Sequence, residues 1–247
     1  MARFGLIIGS GELPWPSPWR ALPHTSTRYG EPSGPVTTSG CADHEIFALA
    51  RHGVPHRLAP HAINYRANLR ALADQQVAAV LALNTVGGIC AQAQTGRLLI
   101  PDQIIDYTSG RPLSFHADDD VHHIDFSEPY DAKLRAALLA AGNQLGLHPV
   151  DGGTMGVTQG PRLETAAEIA RMARDGCAVV GMTGMPEAVL ARELGLPFAC
   201  ISLVVNPAAG VASATIDLAA LAGASRRAMA DTVALLERFF EIIEGFQ

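Results

Sequence analysis

Short apolar runs alternate along this chain with segments of helical periodicity. The runs are Arg3 to Ile8, Val77 to Leu83, Ala178 to Met182 and Pro197 to Val205. Runs of this length and composition are typical of strands that are buried on both faces of a sheet. The pattern therefore predicts an α/β fold in which helices cover both faces of a central sheet.

The segments between these runs predict helices and one irregular excursion. We expect helices over about residues 62–74, 131–145, 164–175, 187–194 and 216–244. Strand-like pieces also lie around residues 34–40 and 45–50, and residues 12–34, rich in Pro, Gly and Ser, predict a segment without regular structure. Because there is no internal repeat and no low-complexity linker, we expect a single domain over residues 1–247.

The charge and hydropathy of the chain argue against nucleic acid and membranes as partners. The formal net charge is −6, whereas nucleic-acid surfaces depend on clustered Lys and Arg. No stretch approaches the ~20 apolar residues of a membrane span. Met1-Ala2-Arg3 leads into a strand-like run rather than into a signal peptide. We therefore expect a cytoplasmic protein.

Cysteine and histidine positions argue against a metal site. The four cysteines are widely separated and form no CxxC pair. Residues Asp118 to Asp125 include His122 and His123, but their spacing matches no zinc or calcium loop. We expect no metal and a solvated or intersubunit loop, and a metal-dependent hydrolase built on Asp118 to His123 is the alternative interpretation.

Five polar or glycine-rich elements follow predicted strands, where ligands bind in open α/β sheets. They are Gly9-Ser10-Gly11, Arg51-His52, residues 84–88, residues 182–187 and Asn206. Glycines let the backbone approach an anion, and Ser, Thr, Arg and His side chains can donate to one. The structural alternatives are a tight turn, a solvated charged pair, a helix cap at Thr183 and a turn at Asn206.

The motif of residues 160–165 (GPRLET) combines with Asn206 to suggest a binding site for a flat heterocycle. An ionised Glu164 is an acceptor only, whereas the amide of Asn206 both donates and accepts. We expect both to be buried at the rim of the sheet, where this pair suits a ring that carries one N–H and one carbonyl. A 6-oxopurine such as hypoxanthine has this pattern.

With these elements in chain order, the sequence resembles the trimeric purine nucleoside phosphorylase and methylthioadenosine phosphorylase family over nearly its whole length. The motifs that carry the resemblance are residues 8–11, 29–33, 50–53, 64–68, 160–165 and 181–187. The resemblance implies a three-layer α/β/α domain with a central mixed, twisted sheet. It also implies a homotrimer with active sites near subunit interfaces, and phosphate-dependent cleavage of a nucleoside with no metal or organic cofactor.

The resemblance also assigns roles to residues. It implies phosphate binding by Ser10, Arg51, His52, the backbone N–H of Thr85 and the hydroxyl of Thr183. It implies contact with the purine by Leu163, Glu164 and Asn206, and with the ribose by Met182. At the 5′ end of the sugar it implies His56, Ile216, Ala219 and a neighbouring subunit's loop near His123.

The choice of substrate depends on two further features. Glu164 and Asn206 favour a 6-oxopurine over adenine, because Glu164 would face the lone pair of adenine N1. The 6-oxopurine nucleoside phosphorylases that the chain resembles place a histidine of their C-terminal segment against the ribose 5′-hydroxyl. Here no histidine follows His148, and the corresponding residues 214–220 are small and mostly apolar, so the resemblance implies an S-methyl group rather than a 5′-hydroxyl. We expect S-methyl-5′-thioinosine as the substrate. Inosine or guanosine phosphorolysis, methylthioadenosine phosphorolysis and a non-catalytic nucleoside-binding module are the alternatives.

Overall fold

A computed structural model describes residues 1–10, 13–23, 26–116, 119–212 and 218–246, with the backbone alone over 218–227. Within these residues it contains eleven strands and five α-helices. The strands are β1 (Arg3–Ile8), β2 (Arg20–Ala21), β3 (Thr37–Cys41), β4 (His44–Ala50), β5 (Ala79–Gly88), β6 (Leu98–Ile100), β7 (Gln103–Asp106), β8 (Val150–Asp151), β9 (Thr154–Val157), β10 (Cys177–Gly181) and β11 (Phe198–Pro207). The helices are α1 (Tyr65–Ala73), α2 (Ala132–Gln144), α3 (Ala166–Arg174), α4 (Gly184–Glu193) and α5 (Leu218–Ile242).

The strands form one mixed sheet, as predicted. Its main order is β2-β3-β4-β1-β5-β10-β9-β7, and β11 branches from β5 to pair with β6. β5 lies between β1 and β11 and is parallel to both, so that Leu81 pairs with Leu6 on one side and Ala199 on the other. Because β1, β4, β5 and β11 run in the same direction, their carboxyl ends meet at one edge of the sheet.

Two apolar clusters cover the two faces of this sheet and give the predicted three layers. On one face, Ile7, Val80 and Ala82 pack with residues of α1 and α4. On the other face, Leu6 and Leu81 pack with residues of α2 and α5. Alternate residues of a strand point to opposite faces, and both sets are apolar here, which is why these strands read as continuous apolar runs.

Side-chain caps determine where the helices begin. The prediction began α1 near residue 62, but residues 60–62 form a separate 3₁₀ turn, and the Asn64 side chain accepts a bond from the Ala67 N–H. Likewise α3 begins at Ala166 rather than at Glu164, because Thr165 and Glu168 form a capping box. Asp131 caps α2 through the Leu134 N–H.

The prediction that β5 ends at Leu83 is wrong. The strand continues to Gly88, because β11 stays paired with it as far as Pro207 and Gly88, and β10 pairs with Gly87 and Gly88. Residues 84–88 are therefore strand rather than loop. A side chain at Gly88 would meet the Ala93 carbonyl oxygen, so this pairing requires glycine there.

The segment of residues 13–23 covers one edge of the sheet and the end of α5. Arg20 and Ala21 pair with β3, and Trp15 packs against Trp19 and Phe240. The prediction of an irregular segment is correct apart from this short strand. Within the described part of the chain, no helix has the length and hydropathy that a bilayer span requires.

Candidate active site

One cavity of about 390 Å³ lies at the carboxyl ends of the parallel strands. The structure brings most of the residues with a predicted site role together in its wall: Ser10, Arg51, His52, His56, Thr85, Leu163, Glu164, Met182, Thr183 and Asn206. Ile216 lies outside the described residues, and Ala219 lies on α5 where only the backbone is described. His123 is exposed and does not line the cavity of its own chain.

The Arg51 side chain is fixed at the base of this cavity by an ion pair with Glu187. Its Nε and Nη2 atoms bind the two carboxylate oxygens of Glu187 at 2.6 and 2.8 Å. Arg51 is 1% exposed and Glu187 is fully buried. The face of the guanidinium that could bind phosphate through two parallel hydrogen bonds is thus occupied by a carboxylate.

The remaining donors of Arg51 are nearly all used as well. Nη2 also donates to Asn84 Oδ1 at 2.6 Å, and Nη1 donates to the Leu83 carbonyl at 2.8 Å. A guanidinium has five N–H groups, so the described residues leave one N–H of Nη1 for a ligand. Gly9 makes this placement possible, because a Cβ there would lie 2.8 Å from Arg51 Nη1 and 2.5 Å from the Leu83 oxygen.

His52 lies beside Arg51 and is almost completely buried. Its Nδ1 lies 2.8 Å from the Leu58 carbonyl oxygen, and its ring stacks on His56 with centroids 4.2 Å apart. Burial is the main cause that lowers the pKa of His52 to about 4; the hydrogen bond to the Leu58 carbonyl opposes this shift, and the neighbouring Arg51 and His56 side chains add to it. The imidazole is therefore neutral near neutral pH.

Thr183 stands at the start of α4 with its side chain buried. The sequence left open whether it caps this helix, and its side chain makes no capping hydrogen bond. The backbone at Met185 is extended, so the regular turns of α4 begin after it, and the Thr183 hydroxyl is not used by the helix. Ser10 and Thr85, each half-buried, line the same cavity from the end of β1 and from β5.

Glu164 and Asn206 both line the cavity, but the expectation that they are buried is wrong. Each is half-buried, because each stands in the cavity wall with one side facing the opening. Thr158 Oγ1 donates to Glu164 Oε1 at 2.6 Å, and Asn206 Nδ2 donates to the Pro207 carbonyl at 2.6 Å. Thr158 therefore orients the carboxylate and leaves its other oxygen free for a donor.

Arg111 is a second buried arginine, bonded to the backbone that carries Met182, and it was not among the residues predicted from the sequence. Its Nη1 donates to the Met182 and Met185 carbonyls at 2.9 and 2.6 Å, and its Nη2 donates to the Gln159 carbonyl at 3.0 Å. It therefore links the backbone next to Glu164 with the backbone that carries Met182. A single arginine in a polar, turn-rich stretch gives no local signal of this role.

Histidines and acids of the 116–123 region pair with one another. His116 Nδ1 lies 2.7 Å from Asp120 Oδ2, and the His116 and His122 rings stack at 4.6 Å. Among the described residues, no three His, Cys, Asp or Glu side chains come together as a metal site would require. Asp118 lies outside the described residues.

Comparison with known proteins gives a consistent result. Residues 3–241 match the model of the Phosphorylase superfamily. A relative named probable S-methyl-5′-thioinosine phosphorylase, from Pseudomonas syringae pv. tomato, is 50% identical over 96% of this chain and 98% of its own length. The 6-oxopurine nucleoside phosphorylase of Pyrococcus furiosus is 41% identical over 85% of this chain and 82% of its own.

The fold also matches a solved structure closely. Methylthioadenosine phosphorylase from Schistosoma mansoni, in complex with adenine, superposes with a TM-score of 0.89. The two sequences are 26% identical, and the match covers 98% of this chain and 92% of the other. The mixed sheet with its two helical layers is thus the fold of that enzyme.

Proposed function

The chain belongs to the phosphorylase superfamily, and on this premise we propose that it cleaves S-methyl-5′-thioinosine with inorganic phosphate. The products would be hypoxanthine and 5-methylthioribose 1-phosphate. The observation that carries this proposal is that one cavity is lined both by hydrogen-bond donors suited to an oxyanion and by Glu164 and Asn206, which suit a 6-oxopurine. Inorganic phosphate is a co-substrate, and the proposal needs no metal or organic cofactor.

The oxyanion donors provide the first stabilisation that this reaction needs. Cleavage of a glycosidic bond passes through an oxocarbenium-like state at the anomeric carbon. We assign phosphate to Ser10, the free N–H of Arg51, the Thr85 backbone and Thr183, with His52 beside them. Phosphate bound there stabilises the developing positive charge. Its fixed position also lowers the entropic cost of bringing the two reactants together.

The base contacts provide the second stabilisation. As the C1′–N9 bond breaks, electron density moves into the purine, and the Asn206 amide would donate to N7 or O6. Glu164, oriented by Thr158, would accept N1–H with its free oxygen. These bonds strengthen as charge moves to the base, and so they lower the barrier rather than only tightening binding. Leu163 would contact the base and Met182 the ribose.

The choice of methylthioinosine rests on the two residues assigned to the base, Glu164 and Asn206, and on the names of the relatives. Glu164 and Asn206 favour a 6-oxopurine, and the relative that is 50% identical is named for methylthioinosine. His56 lines the cavity, and the family resemblance assigns it, with Ile216 and Ala219, to the 5′ substituent. A methylthio group gains from burial there, whereas a hydroxyl would lose its hydrogen-bond partner.

A substrate panel tests this function. We expect hypoxanthine release from methylthioinosine only with phosphate present, and a kcat/KM roughly tenfold or more above that for inosine. Methylthioadenosine should react least. Absorbance assays with and without phosphate measure all three. A preference for inosine would overturn the 5′ assignment, and binding of nucleoside without phosphate-dependent cleavage would indicate a non-catalytic module.

We further propose that the protein is a cytoplasmic homotrimer with active sites near subunit interfaces. Val54 and Leu163 are 80% and 40% exposed, and Leu163 lines the cavity, so a neighbouring subunit could cover apolar surface at its rim. Sedimentation equilibrium should give three times the chain mass of 26.0 kDa. A monomer mass at assay concentration would contradict the proposal.

A further inference from the structure

The His52 ring is held in one tautomer by its own loop. Nδ1 lies 2.8 Å from the Leu58 carbonyl oxygen, which can only accept. Nδ1 therefore carries the proton, and in the neutral ring Nε2 is an acceptor. Leu58 cannot shift easily, because the N–H groups of Arg57 and Leu58 both donate to the His52 carbonyl at 3.0 Å.

The charges around His52 keep the ring neutral. Arg51 carries a positive charge next to it, and His56 stacks on it, so a second proton on His52 would be repelled from two sides. The carboxylate of Glu187, the partner of Arg51, is already bound to that side chain through two hydrogen bonds. Arg57 and Glu164 also line the cavity, but neither bonds the His52 ring.

The second nitrogen of His52 is available to a ligand. Among the described residues no group forms a hydrogen bond with Nε2. Nε2 is also not among the polar atoms of these residues that are fully buried without a hydrogen-bond partner. His52 lines the cavity together with Ser10, Thr85 and Thr183. An acceptor therefore stands among the donors that the proposed function assigns to phosphate.

We propose that His52 Nε2 accepts a hydrogen bond from the P–O–H group of bound hydrogen phosphate, so that the site selects an oxyanion that carries a proton. This inference rests on the proposed function. Hydrogen phosphate offers one hydroxyl and three acceptor oxygens, which match one acceptor among several donors. Sulfate has only acceptor oxygens at neutral pH, and one of them would face the Nε2 lone pair.

The same hydrogen bond fits the proton balance of phosphorolysis. A phosphate oxygen uses a lone pair to form the C1′–O bond, and the C1′–N9 electron pair leaves with the purine. Hydrogen phosphate and nucleoside thus become a sugar phosphate dianion and a neutral purine, so the proton that leaves phosphate must end on a nitrogen of the departing purine. The second proton of a phosphate ester has a pKa of about 6. His52 Nε2 accepts a hydrogen bond from this proton without taking it up, and solvent carries the proton to the purine.

Binding of three oxyanions tests the inference directly. Isothermal titration of the whole protein at neutral pH would compare phosphate, arsenate and sulfate. Phosphate and arsenate, which carry a proton, should bind with similar affinity, and sulfate should bind at least about tenfold more weakly. Sulfate binding as tight as phosphate binding would overturn the inference, and so would a failure of phosphate to bind.

His52→Gln replaces the acceptor with an amide that can donate. In this variant the ratio of phosphate to sulfate affinity should fall towards one, mainly because sulfate gains a donor. His61→Gln, at an exposed histidine outside the cavity wall, is the matched control and should keep the wild-type ratio. A ratio unchanged in His52→Gln would show that another group discriminates, and would overturn the inference.

A measurement on the unmodified protein avoids any folding defect of the variant. ¹⁵N NMR of the imidazoles, with phosphate bound, should show His52 protonated at Nδ1 and unprotonated at Nε2. A proton on Nε2 would overturn the inference. Failure of the proposed function can be told apart from failure of this inference. In the first case the protein would still bind phosphate more tightly than sulfate but would not cleave methylthioinosine.

Discussion

Glu187→Gln should lower the free energy of unfolding by about 3–5 kcal/mol, the usual cost of leaving a buried charge without its partner. Glu187 is fully buried and Arg51 is 1% exposed, and two bonds of 2.6 and 2.8 Å join them. The other partners of Arg51 are a carbonyl and an amide oxygen, and neither carries a charge. Urea unfolding monitored by circular dichroism measures the change.

An exposed ion pair provides the matched control. Arg238 Nη1 lies 2.7 Å from Glu241 Oε2, and the Glu241 side chain is 53% exposed. Glu241→Gln makes the same chemical change at the surface and should alter stability by about 0–1 kcal/mol. Equal losses in the two variants would contradict the argument from burial.

A double variant separates the stability of the pair from its part in the reaction. Arg51→Met with Glu187→Leu removes both charges, so it should be less destabilised than Glu187→Gln alone. It should nonetheless show a raised KM for phosphate, because the free N–H of Arg51 is lost. A double variant that folds and retains the wild-type KM for phosphate would remove Arg51 from the proposed phosphate site.

The sequence predicted the layers and the edge of the sheet that holds the site, because both follow from local patterns. Buried strands read as apolar runs, and ligand-binding residues follow them at their carboxyl ends. Local patterns did not predict the end of β5. Asn84 and the following glycines are typical of a turn, but β10 and β11 supply partners that continue the strand.

Long-range polar contacts were not predictable from the sequence in the same way. Arg51 and Glu187 are 136 positions apart, and Arg111 contacts carbonyls up to 74 positions away. Neither contact produces a periodic pattern in the sequence. A single charged residue is equally compatible with a surface loop and with a buried hydrogen-bond network. Glu164 and Asn206 were recognised by type, but their half-burial depends on the shape of the cavity, which residue types do not determine.

Exchanging the two base-contacting residues should invert the preference between 6-oxo and 6-amino purines. Glu164→Gln replaces an acceptor with an amide that can donate to adenine N1, and Asn206→Asp provides an acceptor for the adenine N6 amine. Because an amide can also accept, Asn206 can bond the adenine N6 amine in the single variant Glu164→Gln once its amide group is turned. The double variant, Glu164→Gln with Asn206→Asp, fixes an acceptor at N6 beside a donor at N1, and it should therefore prefer adenine most.

The expected effects on methylthioinosine are large. Glu164→Gln should lower kcat/KM roughly 10–100-fold, because a charged acceptor for N1–H is replaced by a neutral amide, a loss of about 1–3 kcal/mol. Asn206→Asp should lower kcat by about 10²–10³, because it removes a hydrogen-bond donor to the purine, on which negative charge develops in the transition state. Thr158→Val should have a smaller effect, since it removes only the bond that orients Glu164.

Steady-state kinetics of the four proteins on methylthioinosine and methylthioadenosine complete the test as a double-mutant cycle. We expect a favourable coupling between the two changes on the adenine nucleoside and none on the hypoxanthine nucleoside. Glu244→Gln with Asn143→Asp makes the same chemical changes at two exposed positions and should leave both rates at wild-type values. If the active-site double variant kept the wild-type preference for methylthioinosine, base recognition by Glu164 and Asn206 would be wrong, and the substrate assignment would lose its main physical support.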